Sequence, residues 1–160
     1  MRDLGSTASP QSAFYLNLGL ESLHVRMARH CENGQAVAEF LAKQPQVECV
    51  HYCGLESDPY HAVAQKYLPN GSCGVVSFGV KGGRKAAETF MKHLRVAAIE
   101  THVADARTCC LHPASATHRQ MNDDELRACG IAPELVRYSC GIENAQDLIE
   151  DIAQALETRH

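Results

Sequence analysis

Residues 135–142 read LVRYSCGI, a run of apolar and β-prone residues that predicts a strand. Arg137 stands inside this run, where a buried guanidinium is costly unless a partner compensates its charge. Its planar fork suits a carboxylate, which it can bind bidentately. The residues alone leave three interpretations of Arg137 open: an internal salt bridge to an aspartate or glutamate, an edge-strand arginine that faces water, or a ligand-binding arginine.

Helical and strand patterns alternate on the N-terminal side of this stretch. A long helix is predicted from the cap-and-proline signal Ser9-Pro10 to residue 44, with residues 31–34 as the place for a bend. Asn144 predicts the N-terminal cap of a last helix. Shorter helices are predicted at residues 57–67, 83–94 and 123–128, and further strands at residues 47–52, 74–80 and 108–111.

This order of elements favours an α+β fold. We expect a two-layer α/β sandwich, in which helices cover one face of a four-stranded sheet. The strands are not apolar enough to require a parallel sheet buried on both faces, so a mixed or mainly antiparallel sheet is predicted.

The composition is that of a globular protein. The chain has 160 residues and a formal net charge of −4, which excludes the basic surface typical of a nucleic-acid-binding protein. No apolar run reaches the ~18 residues of a membrane-spanning helix, and no signal peptide opens the chain. We therefore expect a cytoplasmic protein with neither nucleic-acid nor membrane partners.

The chain has eight cysteines, too sparse for a disulfide scaffold and without a Cys-x-x-Cys pair. Cys49, His51 and Cys53 alternate along a predicted strand, so their side chains point to one face. This triplet is the basis of a thiol or metal-binding hypothesis. The simpler interpretation is small buried side chains that fill apolar space, and no metal site is assigned.

A second polar stretch, HPASATHRQ at residues 112–120, carries two histidines. Imidazoles can serve in acid–base chemistry, but no partner stands at a defined spacing. We favour a capped turn with exposed histidines.

Several ordered motifs together resemble one family: GLESLHVRMARH at 19–30, VAEFL at 37–41, KYLP at 66–69, HPASATHRQ at 112–120 and LVRYSCGIE at 135–143. The chain resembles the C-terminal part of the Cys/Met-metabolism pyridoxal-phosphate enzymes, closest to their O-acetylhomoserine sulfhydrylase branch. The resemblance implies the small domain of fold type I. It divides the chain into a linking helix at residues 1–45 and an α/β substrate-binding unit at residues 46–160.

The resemblance also implies a function for the whole enzyme. In this family, sulfide or a thiol replaces the acetate of O-acetylhomoserine to give homocysteine or methionine, in homo-oligomers with active sites at subunit interfaces. The arginine at the position of Arg137 binds the α-carboxylate of the amino-acid substrate. The cofactor lysine and the residues that hold the cofactor belong to a large domain that precedes this part of the chain in relatives.

The same resemblance limits what this chain is expected to do alone. Its lysines do not stand in the family's cofactor-lysine motif; they are Lys43, Lys66, Lys81, Lys85 and Lys92. We therefore assign no catalytic and no cofactor-binding residue, expect no covalently bound cofactor, and expect the chain alone to be inactive. An alternative from a different class is a non-catalytic oligomerisation or interaction module that uses the first helix.

One segment departs from the family pattern. Where relatives carry a small polar residue, an apolar residue, glycine and aspartate, this chain has His102, Val103, Ala104 and Asp105. The resemblance places His102 and Val103 at the substrate pocket, so they are candidate pocket residues beside Arg137.

Overall fold

Six helices and five strands follow one another in the computed structural model, which describes residue 5 and residues 7–157. The helices are α1 (Pro10–Glu21), α2 (Leu23–Leu41), α3 (His61–Tyr67), α4 (Gly83–His93), α5 (Asp123–Ala128) and α6 (Ala145–Leu156). The strands are β1 (Val47–His51), β2 (Val75–Val80), β3 (Ala98–Ile99), β4 (Cys109–Leu111) and β5 (Leu135–Ser139).

The strands form one sheet in the order β1-β2-β5-β4-β3, so β5 is the central strand. Three of the four strand pairs are antiparallel, and only β3 and β4 run parallel. The mixed, mainly antiparallel sheet predicted from the sequence is therefore confirmed. It has five strands instead of the four predicted, because β3 has only two residues and leaves no periodic pattern to detect.

The main core lies on one face of this sheet. Alternate residues of β2 and β5, among them Phe78 and Tyr138, pack against apolar residues of α2, α4 and α6. Phe78 meets Phe90 of α4 edge to face, with ring centroids 5.5 Å apart. Because side chains alternate across a strand, the residues between these core positions point to the opposite face of the sheet.

The predicted helix over residues 10–44 is in fact two helices that meet at Ser22. Arg26 bonds to both sides of this junction: its Nη2 donates to the Gly19 carbonyl at 2.7 Å and its Nε donates to Ser22 Oγ at 3.2 Å. The bend expected at residues 31–34 was misplaced, since those residues lie inside α2. Helix α2 ends at Leu41, three residues before the predicted end.

Helix α3 also differs from its prediction, since it begins at His61 and not at residues 57–59. Asp58 is used in a turn instead of a helix cap. One of its carboxylate oxygens accepts a hydrogen bond from the Tyr60 backbone N–H at 2.9 Å, and the other accepts from the Tyr52 N–H at 3.0 Å. The turn therefore ties the start of α3 to the end of β1.

Helix α1 buries none of its residues. Its large apolar side chains are 51–66% exposed: Phe14, Tyr15, Leu16, Leu18 and Leu20. So many exposed large apolar side chains on one helix are unusual for a protein without a partner there.

Within the described residues, no helix has both the length and the apolarity needed to cross a membrane.

Candidate functional site

Arg137 is the middle residue of the central strand β5, and its side chain lies on the sheet face opposite the main core. Its neighbours Val136 and Tyr138 are fully buried in that core. Across the sheet, Arg137 pairs with Ser77 of β2 on one side and with Leu111 of β4 on the other. The fold thus presents one guanidinium near the centre of its second sheet face.

The contacts of Arg137 do not match an internal salt bridge or an edge-strand position. Its Nη2 donates to the Thr101 carbonyl at 2.8 Å and lies 3.5 Å from the His102 carbonyl. Its Nε is buried and has no hydrogen-bond partner among the described residues. No Asp or Glu in that part of the chain forms an ion pair with Arg137, and β5 is not an edge strand.

Three charged side chains and the His102 imidazole form a cluster in the segment whose backbone Arg137 contacts. His102 Nδ1 lies 3.1 Å from a Glu100 carboxylate oxygen and 3.7 Å from one of Asp105. Arg107 Nη2 lies 3.2 Å from the other oxygen of Glu100. The Arg107 backbone N–H, with a smaller charge effect from its guanidinium, lowers the pKa of the Asp105 carboxyl. We call the segment at residues 100–105 the site loop.

The two candidate pocket residues are both on the site loop. The His102 side chain is 63% exposed and Val103 is 54% exposed, so both are open to contact from outside the chain.

Ala104 gives the site loop a strained backbone. Its φ is 57°, in the left-handed region, and it is the one non-glycine residue with positive φ in the described part of the chain. Its N–H donates to Ser139 Oγ of β5 at 3.1 Å, so this conformation fastens the loop to the end of the strand. The glycine expected here from the family would adopt the same conformation without the Cβ penalty.

Side chains of α2 hold the C-terminal end of β5. His30 Nδ1 and the Cys140 carbonyl share a 2.6 Å hydrogen bond. Asn33 Nδ2 donates to the carbonyls of Gly141 and Glu143, both at 2.9 Å. These bonds are buried or partly buried, so they fix the strand that carries Arg137 against the helix layer.

A second set of bonds joins β4 to the same strand end. The Glu143 carboxylate accepts from the Thr108 backbone N–H at 2.7 Å and from Thr108 Oγ1–H at 2.8 Å. Thr108 Oγ1 in turn accepts from the Gly141 N–H at 2.8 Å. Sequence reasoning missed the roles of Thr108 and Glu143, because their pairing spans 35 residues and follows no spacing rule.

His112 is a structural residue. It is buried, and its Nε2 shares a 2.7 Å hydrogen bond with the Pro133 carbonyl, while its Nδ1 and Ser115 Oγ are 2.9 Å apart. Because both ring nitrogens are engaged, this imidazole is not free for acid–base work. The expectation of an exposed histidine here was wrong for His112, although residues 112–120 do form turns.

The structure lends no support to the metal hypothesis. No set of three or more His, Cys, Asp or Glu side chains in residues 5 and 7–157 is arranged to hold a metal ion. Cys49 lies over Gly79, whereas Cys53 neighbours Cys73. Burial raises the pKa of the Cys73 thiol, which disfavours the thiolate that a metal requires.

No lysine stands at the Arg137 site. All five lysines are exposed, and Lys81 Nζ donates to the Pro45 carbonyl at 2.6 Å, away from the site loop. A pyridoxal-phosphate group needs an amine for covalent attachment, so the described residues do not fit that cofactor by themselves.

Comparison with known structures gives the fold class: the fold matches part of a fold-type-I pyridoxal-phosphate enzyme. A crystal structure of a protein named as an O-acetylhomoserine (thiol)-lyase from Campylobacter jejuni matches with a TM-score of 0.89 and 37% sequence identity. The match covers 98% of this chain and 37% of that one. The neighbour carries N'-pyridoxyl-lysine-5'-monophosphate at its position 205, outside the part that corresponds to these 160 residues.

The chain belongs to the Cys/Met-metabolism pyridoxal-phosphate-dependent enzymes, whose family model matches residues 1–157. It is 44% identical over 157 residues to a homocysteine synthase of Schizosaccharomyces pombe, a match that covers 98% of this chain and 37% of the relative. It is 41% identical over 156 residues to O-acetyl-L-homoserine sulfhydrylase 1 of Thermus thermophilus, covering 98% and 37%.

A third relative, L-methionine gamma-lyase of Fusobacterium nucleatum, is 40% identical over 153 residues, covering 96% of this chain and 38% of the relative. The chain therefore spans less than two fifths of the length of the curated relatives it matches.

Proposed function

We propose that this chain is the substrate-carboxylate-binding part of a pyridoxal-phosphate enzyme of the O-acetylhomoserine sulfhydrylase type. In this proposal, residues 1–45 link to a large domain and residues 46–160 form the substrate-binding unit. Arg137 binds the α-carboxylate of the amino acid. The single observation that carries this assignment is a partly buried guanidinium with a free Nε and no acidic partner among the described residues.

The chemistry of the site follows from the hydrogen bonds of Arg137. Its Nη2 is held by the Thr101 carbonyl, which fixes the plane of the guanidinium before a ligand arrives. An incoming carboxylate supplies an acceptor for the unpartnered Nε and neutralises the charge, which relieves the cost of a buried orphan donor. Binding through the carboxylate orients the rest of the amino acid toward the site loop.

The proposed partners are a pyridoxal-phosphate-binding large domain, in the same or a separate chain, and further subunits in a homo-oligomer. The large domain supplies the cofactor and its lysine, so this chain alone is inactive. Sulfhydrylation of O-acetylhomoserine is the proposed reaction, and the relatives named as methionine gamma-lyases make lyase activity the competing outcome. We place the protein in the reducing cytoplasm, in keeping with its eight unpaired cysteines.

The test is ligand binding by the purified chain, followed through the Arg137 side-chain Nε–H signal by NMR. O-acetyl-L-homoserine is titrated into the wild-type chain, Arg137→Gln and the matched control Arg127→Gln. Arg127 is exposed on α5, away from the site, and its variant has the same change in charge. We expect saturable shifts in wild type and in the control, and at least a tenfold loss of affinity in Arg137→Gln. Equal binding by both variants would refute the assignment.

The second candidate function is a non-catalytic interaction module, and the exposed apolar surface of α1 favours it. Size-exclusion chromatography with light scattering tests self-association through this helix. The pair Leu16→Glu and Leu20→Glu removes the surface, whereas Gln11→Glu is a charge control on the same helix. A wild-type chain that remains monomeric up to high concentration would count against a self-association module.

A further inference from the structure

Two asparagine–glycine pairs of this chain lie in different surroundings. Asn33-Gly34 lies inside α2, whereas Asn70-Gly71 lies in the turn between α3 and β2. In such a pair the backbone nitrogen of the glycine can attack the asparagine side chain, because glycine has no Cβ to block the approach. The same reactive dipeptide therefore occurs in two environments of one fold.

The fold protects Asn33 from this attack. Its side chain is fully buried, and Nδ2 donates to the carbonyls of Gly141 and Glu143, both at 2.9 Å. Gly34 lies within α2, where each backbone N–H is bonded to the carbonyl four residues earlier. A reaction at Asn33 therefore requires the helix to open first.

The turn restrains Asn70 far less. Pro69, Asn70 and Gly71 are all exposed, and no hydrogen bond of the Asn70 side chain is found within residues 5 and 7–157. The Gly71 N–H, which carries the attacking nitrogen, donates to the Leu68 carbonyl at 3.3 Å, a long hydrogen bond. Neither burial nor helical hydrogen bonding therefore stands between the two reacting groups.

We propose that Asn70 is a modification site, at which the side-chain amide cyclises onto Gly71 and is then hydrolysed to isoaspartate and aspartate. Base removes the proton of the Gly71 N–H, the nitrogen bonds to Asn70 Cγ, and Nδ2 leaves as ammonia. Water then opens the five-membered ring at either of its carbonyls. No oxidant or reductant takes part, and the carboxylate that forms adds one negative charge to the turn.

The turn packs against α2, so the reaction has a structural consequence. A Cβ on Gly71 would lie 3.1 Å from both Cβ and Sγ of Cys31, which places the Gly71 backbone in contact with this side chain. In isoaspartate the main chain runs through the former side chain and gains one carbon directly before Gly71. The new carboxylate also shares a groove with Glu32 of α2, and the two like charges repel. The modification therefore moves Gly71 away from Cys31 and exposes the thiol.

The experiment incubates the wild-type chain in mildly alkaline buffer and follows each asparagine by peptide mass spectrometry. The gain in mass marks the change from amide to acid, and electron-transfer fragmentation distinguishes isoaspartate from aspartate. We expect Asn70 to convert at least tenfold faster than Asn33, because Asn33 reacts only from an opened helix. In urea, where both pairs are unfolded, the two rates should agree within a fewfold.

Two variants and one thiol reagent test the structural consequence. Iodoacetamide should alkylate Cys31 severalfold faster in the aged wild-type chain than in the fresh one. Asn70→Gln would have to form a six-membered ring, so this variant should stay unmodified and keep the Cys31 rate constant over the same time. Freshly prepared Asn70→Asp has the charge without the extra backbone carbon and should change the Cys31 rate less than ageing does.

The outcomes decide the two parts separately. Equal rates at Asn70 and Asn33 in the folded chain, or aspartate without isoaspartate, would refute the modification site. If Asn70 is converted while Cys31 reacts no faster, the site stands and its effect on the contact with α2 is refuted.

Discussion

Arg137 Nη2 donates a 2.8 Å hydrogen bond to the backbone carbonyl of Thr101, so the central strand and the site loop are joined by the side chain proposed to bind substrate. Nη2 of the guanidinium is bound to the loop, whereas the buried Nε has no partner among the described residues. If Arg137 binds a carboxylate as proposed, one residue couples loop conformation to ligand binding.

The strained backbone of the site loop gives the first prediction. Ala104 has a φ of 57°, which costs an L-residue roughly 1–2 kcal/mol, while glycine loses somewhat less than that in conformational entropy. Ala104→Gly should raise the free energy of unfolding by about 0.5 kcal/mol. Urea denaturation checks this. Ala106→Gly, directly after the site loop and without positive φ, should lower stability instead, and a loss in both variants would contradict the strain argument.

A close approach of backbones gives the second prediction. A Cβ on Gly34 of α2 would lie 2.5 Å from the Cys73 carbonyl oxygen and 3.1 Å from the Tyr52 hydroxyl. Gly34→Ala should therefore destabilise the protein by about 2 kcal/mol despite the better helix propensity of alanine. Gly19→Ala in α1 is the control, since its Cβ would meet nothing within 4 Å. It should increase helicity by circular dichroism without loss of stability.

The third prediction concerns a buried carboxylate on α6. Asp151 accepts hydrogen bonds from three consecutive backbone N–H groups, those of residues 95–97, at 2.7–3.1 Å. Asp151→Ala leaves these donors without an acceptor and should lower the unfolding free energy by about 3 kcal/mol. Asp147→Ala, exposed on the same helix, should cost less than about 1 kcal/mol. Similar losses of unfolding free energy in the two variants would show that the hydrogen bonds to the Asp151 carboxylate do not stabilise the fold.

The fourth prediction is a loss of stability in alkali. Burial, assisted by the Glu143 charge, raises the pKa of the Cys140 thiol from 9.0 to about 12. The folded state therefore retains a proton that the unfolded state releases, so the stabilisation is complete below pH 9 and is lost as pH rises to about 12. Each such thiol contributes a slope of about −1.4 kcal/mol per pH unit.

Urea denaturation at pH 8, 9 and 10 under reducing conditions measures this slope. Because only the upper half of this range lies above pH 9, Cys140→Ala should make the mean slope shallower by about 0.7 kcal/mol per pH unit, whatever its effect on stability at neutral pH. The exposed Cys129→Ala should leave it unchanged. Burial also raises the pKa of Cys110, so some slope should persist in the Cys140 variant.

The sequence predicted the starts of helices α1 and α6 correctly, because each start depends on a cap residue close by in the chain. The Ser9-Pro10 start of α1 holds, with the Ser12 N–H donating to Ser9 Oγ at 3.1 Å, and the Asn144 side chain caps α6 by accepting from the Gln146 N–H at 2.9 Å. Both depend on residues two or three positions apart, which a sequence displays directly.

Features with distant causes could not be predicted in this way. Strand β3 exists because residues 98–100 bond to β4, with the Ala98 N–H donating to the Thr108 carbonyl at 2.9 Å. The burial of His112 depends on the Pro133 carbonyl, 21 residues away. Arg137 was recognisable because a charge inside an apolar strand is anomalous, but its contact with Thr101 follows only from the folded loop.

The hydrogen bonds between α2 and the end of β5 couple the movements of these two elements. His30 and Asn33 bond to the carbonyls of residues 140, 141 and 143, so helix and strand end form one rigid unit. Helix α2 continues from the exposed α1, separated only by Ser22. A rotation of α2 would therefore also move the strand end that follows Arg137, so the position of the guanidinium depends on the orientation of this helix.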